Sequence, residues 1–163
     1  MNPERWRTAR PMARLREGRM DWYSIKNHLA DGPSIVSIYD EVGYFGVTAQ
    51  DFIRDLAAID GDIELHLSTP GGEVFDGIAI YGALQQRPGN VAVVVDSLAA
   101  SIGSVIAMAA SPGQLAMMPN ASMMIHDGFA FCLGNAADMR ETAELLDKTS
   151  DNIASIYAER TGK

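Results

Sequence analysis

The sequence predicts an α/β fold, on three observations. Runs of β-branched residues alternate with stretches of helical period from residue 34 onward, Gly, Pro and Asn punctuate the joins, and no internal repeat or low-complexity linker divides residues 21–163. Strand, helix, strand, helix is the order that stacks helices on a sheet.

The first strand of the series is "SIVSIY" (34–39). "TAQDFIRDLAAI" (48–59) predicts a helix, with Thr48 as N-cap and Asp51 three residues on as an acidic form of the capping box. In "DIELHLS" (62–68) Ile63, Leu65 and Leu67 alternate with Glu64, His66 and Ser68, which makes one face apolar and His66 an outward strand residue. A helix follows through "EVFDGIAIYGALQQ" (73–86), then "PGN" and the strand "VAVVV" (91–95), which gives way to the helix in "SLAASIGSVIAMAAS". "QLAMM" and "ASMMIH" read as two short strands around "PN", the second ending at His126. A long helix closes the chain through "GNAADMRETAELLDKTSDNIASIYAERTG", capped by Asn135, with Met139, Ala143, Leu146, Ile153 and Ile156 in an apolar stripe. At about 25 residues it is on the order of 38 Å long.

A chain of 163 residues with 47% hydrophobic composition fits one domain with a substantial core. Charge is uneven. Six arginines against Glu4 and Glu17 leave +4 in residues 1–20, and with a total of −8 the rest of the chain carries −12. An acidic body argues against nucleic acid as a partner, since phosphate binding wants a basic face. The Arg-rich start reads as a basic, poorly ordered arm (1–20) ahead of a single domain (21–163); a prosegment, a targeting sequence or a misplaced start codon are the other readings. No apolar run reaches the ~20 residues of a bilayer span and no signal-peptide core precedes them, so no membrane partner is expected. The single cysteine, Cys132 in "FAFCLG", excludes an internal disulfide and reads as packing, which suits a soluble, cytoplasmic protein.

A buried hydroxyl costs on the order of 1–3 kcal/mol unless it is hydrogen-bonded, so the serines inside "VVVDSLAASIGSVIAMAAS" (93–111) are either satisfied or chemically active. Ser101 lies where strand turns to helix, beside backbone N–H groups that have no intrahelical partner and can hold an oxyanion. The small neighbours Ala99, Ala100 and Gly103 would let another chain's backbone approach. The order A-A-S-I-G is not the G-x-S-x-G elbow, so that motif lends nothing. Ser97 and Ser104 are rivals, the first as a turn-shaping residue and the second as a helix serine bonded back to a carbonyl. A capping or satisfied Ser101 stands as the alternative reading. "STPGGEVFDG" ends a strand at proline and offers two glycines whose N–H groups can face an anion; the alternative is an ordinary strand-to-helix connection. His126, at a strand end, reads as a base or as a structural histidine. Acyl transfer needs a nucleophile, a base and oxyanion donors, and such parts converge from the ends of different strands.

Taken together, "STPGGEVFDGIAIYGAL", "VDSLAASIGSVIAMAAS" and "MPNASMMIHDG", with 30 residues from Gly71 to Ser101 and 25 from Ser101 to His126, resemble the Clp protease proteolytic subunits. "IYDEVGYFGVTAQDF", and Asp127 where the cellular enzymes usually have Gln after the histidine, resemble the phage head-maturation (prohead) protease branch. The resemblance covers residues 33–163. It implies a ClpP/crotonase-like fold of repeated β-β-α units with a protruding handle, made by a strand around "FAFCL" and the helix over 136–160. It implies Ser101 as nucleophile, His126 as general base, and the backbone N–H groups of Gly72 and Ile102 as oxyanion donors. An extended polypeptide substrate would pair with strand edges near the Pro-Gly-Gly turn and the segment after His126, with no metal or organic cofactor. A homo-oligomeric ring, stacked through helix 136–160, is also implied; the stripe on that helix needs cover, and the other reading packs it inside the monomer.

The resemblance places the triad acid after the long helix, beyond Lys163, and "ERTGK" reads as a cut-off ending. Asp127 is a weak substitute, because consecutive strand side chains point to opposite faces, and Asp96 and Asp138 have no stronger claim. Losing the acid costs about 10⁴-fold in a serine protease, so weak or absent turnover is expected of this form. The expected function is a serine endopeptidase that processes phage scaffold, portal-associated or capsid-precursor protein in the host cytoplasm or the assembling head. The alternatives are a catalytically silent assembly protein, an acyl-CoA enzyme of the crotonase fold and, last, a Ser–Lys peptidase, for Lys26, Lys148 and Lys163 all lie far from Ser101 in sequence.

Overall fold

The computed structural model describes residues 23–26, 32–43 and 48–163, so the basic arm expected over 1–20 lies outside the described residues. The elements run β1 (Tyr23–Lys26), β2 (Ser34–Ile38), α1 (Ala49–Ala57), β3 (Ile63–Thr69), α2 (Val74–Gln86), β4 (Val91–Ala100), α3 (Ile102–Ala107), β5 (Leu115–Met117), β6 (Ser122–Met124) and α4 (Ala136–Thr161). This is the α/β alternation the sequence predicts.

Period-two burial makes the strands. In β3, Ile63, Leu65, Leu67 and Thr69 are buried while Glu64, His66 and Ser68 are half-buried on the other face; β2 and the first half of β4 repeat the alternation. The strands form one sheet in the order β1-β2-β3-β4-β5, with β6 also pairing β4. Among the described residues only β1 is antiparallel to its neighbour. β4 is longer than the predicted 91–95, and its far half takes β6 as partner where its near half takes β5. Between Leu67↔Val95 and Thr69↔Ala99 the register slips: β3 advances two residues while β4 advances four. The slip lets β4 run on to Ala100, next to Ser101.

The helices start where the capping chemistry says. Thr48 accepts from Asp51 N–H and Asp51 reaches back to the Thr48 backbone, closing a capping box on α1; Asn135 and Asp138 do the same on α4. The segment from Ile102 to Ala110 is buried throughout, though α3 itself ends at Ala107, earlier than the apolar run suggests. A Cβ on Gly103 would come within 2.5 Å of Thr69 Cγ2, so the space at Gly103 is taken by β3 of the same chain rather than left for another.

Two expectations need correction. No strand forms around "FAFCL": Phe129, Phe131 and Leu133 are 83%, 93% and 88% exposed, and among the described residues no strand lies alongside to complete a ladder. Alternating hydrophobicity without a partner edge does not make a strand. Cys132, between them, is half-buried and accepts a bond from the Thr142 hydroxyl on α4. The apolar stripe of α4 is split as well, since Ile153 and Ile156 pack on the core whereas Met139 is about half exposed and Ala143 is exposed. Among the described residues no helix is long and apolar enough to cross a membrane.

Candidate active site

Ser101 sits between the end of β4 and the start of α3 with φ 52° and ψ −128°. That is the positive-φ region, which a residue with a Cβ enters only at a cost of roughly 1–3 kcal/mol, sustained by its surroundings. The surroundings here are specific. Its N–H donates to Met124 O at 2.8 Å, and its carbonyl accepts from Ser104 N–H at 2.9 Å and from Ser104 Oγ at 2.5 Å. Ser101 occupies the N-cap position, yet its side chain makes no capping bond. The hydroxyl instead meets His126.

His126 Nε2 lies 2.8 Å from Ser101 Oγ, and His126 Nδ1 lies 2.6 Å from the backbone carbonyl of Asp127. A carbonyl can only accept, so in the neutral ring Nδ1 carries the proton and Nε2 is left as the acceptor for the Ser101 hydroxyl. This is the tautomer a general base requires. β6 ends at Met124, so His126 stands two residues past the strand rather than at its last position, and it is exposed, with the Phe129 ring 5.5 Å from the imidazole.

The Pro-Gly-Gly turn closes the third side. Gly71 and Gly72 have φ of 103° and 144°, and a Cβ on Gly71 would stand 2.7 Å from Ser101 Cβ, 2.8 Å from Ala100 O and 3.2 Å from Ile102 N. Only glycine brings the turn this near. Val42 N–H donates to Gly71 O and Val42 O accepts from Glu73 N–H, while buried Thr69 bonds through Oγ1 to both Asp40 O and Gly71 N–H. The N–H groups of Gly72 and Ile102 donate to no acceptor among the described residues.

The rival residues go elsewhere. Ser97 Oγ pairs with Ser68 Oγ at 2.7 Å, and Ser104 Oγ turns inward to Ser101 O and Tyr157. The side chain of Asp138 caps α4. Asp96 serves the outer face of the sheet, where His66 bridges it through Nδ1 and Glu64 through Nε2, each at 2.8 Å, and Tyr39 donates to it at 2.5 Å. His66 is thus outward but not idle. Burial works against its charge most strongly, yet the hydrogen bonds and charges of Glu64 and Asp96 together raise its pKa above the ordinary 6.5. Tyr39 is pushed up to about 12 by burial and by Asp96. No acidic side chain among the described residues bonds to His126; the Asp127 main chain does, a partner the sequence reading missed because a carbonyl leaves no sequence signal.

Comparison with known proteins now decides the lineage. A family described as Clp protease matches residues 17–163. The chain belongs to the Clp protease family. An ATP-dependent Clp protease proteolytic subunit of Deinococcus radiodurans is 33% identical over 115 residues, which is 71% of this chain and 56% of that protein. Proteolytic subunit 1 of Gloeobacter violaceus is 33% identical over 153 residues, 92% of this chain and 77% of the relative. Proteolytic subunit 1 of Streptomyces coelicolor is 36% identical over 104 residues, 64% and 48% of the two chains. Of these Clp relatives, two are thus matched over about half their length.

Proposed function

We propose that this Clp-family chain is a serine endopeptidase that works through an acyl-enzyme on Ser101. Ser101 Oγ attacks the scissile carbonyl carbon as its proton passes to His126 Nε2, and the negative oxygen so formed faces the N–H groups of Gly72 and Ile102. The intermediate collapses to the acyl-enzyme, expelling the amine, which takes the proton from Nε2. Water then repeats the cycle in reverse order, giving its proton to Nε2, adding to the acyl carbon, and returning Ser101 as the alcohol. The single observation that carries this reading is the 2.8 Å contact between Ser101 Oγ and the acceptor nitrogen of His126.

The Asp127 carbonyl supplies one part of the role of a triad acid, fixing the tautomer, but a neutral carbonyl does little to stabilise the imidazolium. A carboxylate brought against His126 Nδ1 would stabilise the imidazolium more strongly and speed turnover. The substrate is an extended polypeptide lying along the Pro-Gly-Gly turn and the segment after His126. We assign it to phage scaffold, portal-associated or capsid-precursor protein, in the host cytoplasm or the assembling head, on Asp127 and "IYDEVGYFGVTAQDF". The working unit is a homo-oligomeric ring that covers α4 and the exposed Phe129, Phe131 and Leu133.

The test is labelling with a fluorophosphonate, located by mass spectrometry. One adduct on Ser101, absent from Ser101→Ala, is the expected outcome, together with loss of peptide cleavage. A folded parent with no adduct on Ser101 overturns the reading and favours a silent assembly protein.

A further inference from the structure

Ser104 and Tyr157 take no direct part in that chemistry, yet they meet immediately behind it. Ser104 is fully buried, and its Oγ contacts the Ser101 carbonyl oxygen at 2.5 Å and the Tyr157 hydroxyl at 2.7 Å. Since a carbonyl only accepts, the one Ser104 hydroxyl proton goes to Ser101 O, and Tyr157 must donate to Ser104 Oγ. The chain of bonds therefore runs from Tyr157 through Ser104 to the Ser101 carbonyl, each bond polarising the next. Burial, against the smaller opposing effect of Ser104, raises the Tyr157 pKa, which keeps the hydroxyl protonated and donating.

What this carbonyl controls is the N–H on the far side of its own peptide bond. Ser101 C=O and Ile102 N–H belong to one planar trans amide, so they point in opposite directions and turn together. Two bonds from Ser104, through its N–H and its Oγ, hold the oxygen toward the interior. The same restraint holds Ile102 N–H toward the Pro-Gly-Gly turn, where its nitrogen lies 3.2 Å from the position a Gly71 Cβ would take. The positive φ of Ser101 makes the plane one that relaxes if released.

We propose that Ser104 and Tyr157 are positioning residues for the Ile102 oxyanion donor, with Tyr157 tying the seating of α4 to the orientation of that amide. The proposal rests on the peptidase reading. It adds a route by which the helix that would meet a neighbouring subunit governs the rate of the chemical step.

Tyr157→Phe removes one hydroxyl and keeps the ring; Ser104→Ala removes the relay. With peptide substrate, kcat should fall about threefold in the first and about tenfold in the second with KM unchanged, the scale of one lost hydrogen bond. Adding Tyr157→Phe to Ser104→Ala should cost nothing more, because the relay is already cut. A change confined to KM, or losses that multiply in the double variant, overturns the proposal. Should the parent form no Ser101 adduct, the peptidase reading falls and positioning is read separately from amide hydrogen exchange. In Tyr157→Phe the Ser104 amide should then exchange about tenfold faster while the rest of α3 is unchanged, the equivalent of one weakened bond. An unchanged Ser104 amide overturns it on that arm.

Discussion

The two halves of the candidate site are held in opposite ways. Ser101 stands on a foundation: the nine residues after it, Ile102 to Ala110, are all buried, its amide and carbonyl are both bonded, and Gly71 presses against it from the turn that follows β3. His126 stands on an exposed stretch past the end of β6, oriented by one carbonyl and one aromatic ring. The contrast shows where each kind of precision comes from. A strained nucleophile and its oxyanion donors must be fixed before substrate arrives, and close packing does that within one chain. The base needs only to be aimed, and its exposed segment is tied to α4 where Gly128 N–H donates to Ser150 Oγ; it is the face the proposed ring would cover.

The contrast can be broken in order of effect. His126→Ala removes the one side chain among the described residues that is bonded to the Ser101 hydroxyl, so Ser101 labelling should fall by about 10⁴ or more with the melting temperature almost unchanged, since the residue is exposed. Gly71→Ala strikes the packed half instead: a Cβ 2.7 Å from Ser101 Cβ, at φ 103°, should cost about 2–4 kcal/mol in denaturant unfolding and abolish labelling together. Phe131→Asp addresses the open half, where 93% exposure means that the monomer fold does not depend on the ring. It should leave the melt alone, dissociate the proposed ring in analytical ultracentrifugation and slow labelling several-fold; an unchanged sedimentation profile would remove this face from the proposed interface.

The smallest effect lies on the outer face of the sheet. His66 has a pKa raised above 6.5 in the folded state, so its bridge to Glu64 and Asp96 stabilises fully below pH 6.5 and fades as pH rises through the folded value. His66→Gln should therefore lower stability below pH 6.5 by about 1 kcal/mol or less and converge with the parent at alkaline pH, read from melts across that range. A constant difference at every pH would assign His66 to packing alone.

Much of the framework was legible because its signals are local. Thr48 and Asp51, Asn135 and Asp138 mark helix starts by spacing, and the alternation of "DIELHLS" names the buried face of β3 residue by residue. For the site, the residues alone left Ser101 and His126 open to a structural reading and the resemblance to the Clp proteolytic subunits singled them out, while the helix position of Ser104 marked it as bonded to a carbonyl, which it is. What escaped is carried by the backbone or by partners far apart in sequence. The positive φ of Ser101 appears in a sequence that lacks the elbow motif, the Asp127 partner is a main-chain oxygen, and Tyr157 finds Ser104 across 53 positions. "FAFCL" misled because its alternation is real, and only the absence of a neighbouring edge shows that it forms no ladder.

The pairing of β6 with β4 also bears on when the reactive centre comes into being. Ala100 lies opposite Met124, and Met124 O holds the Ser101 amide, so hydroxyl and imidazole become neighbours only when a 25-residue excursion has looped home. Such distant pairings form late compared with helices. A copy still emerging from the ribosome therefore carries its serine without a base, and the proposed chemistry has to wait until that pairing closes.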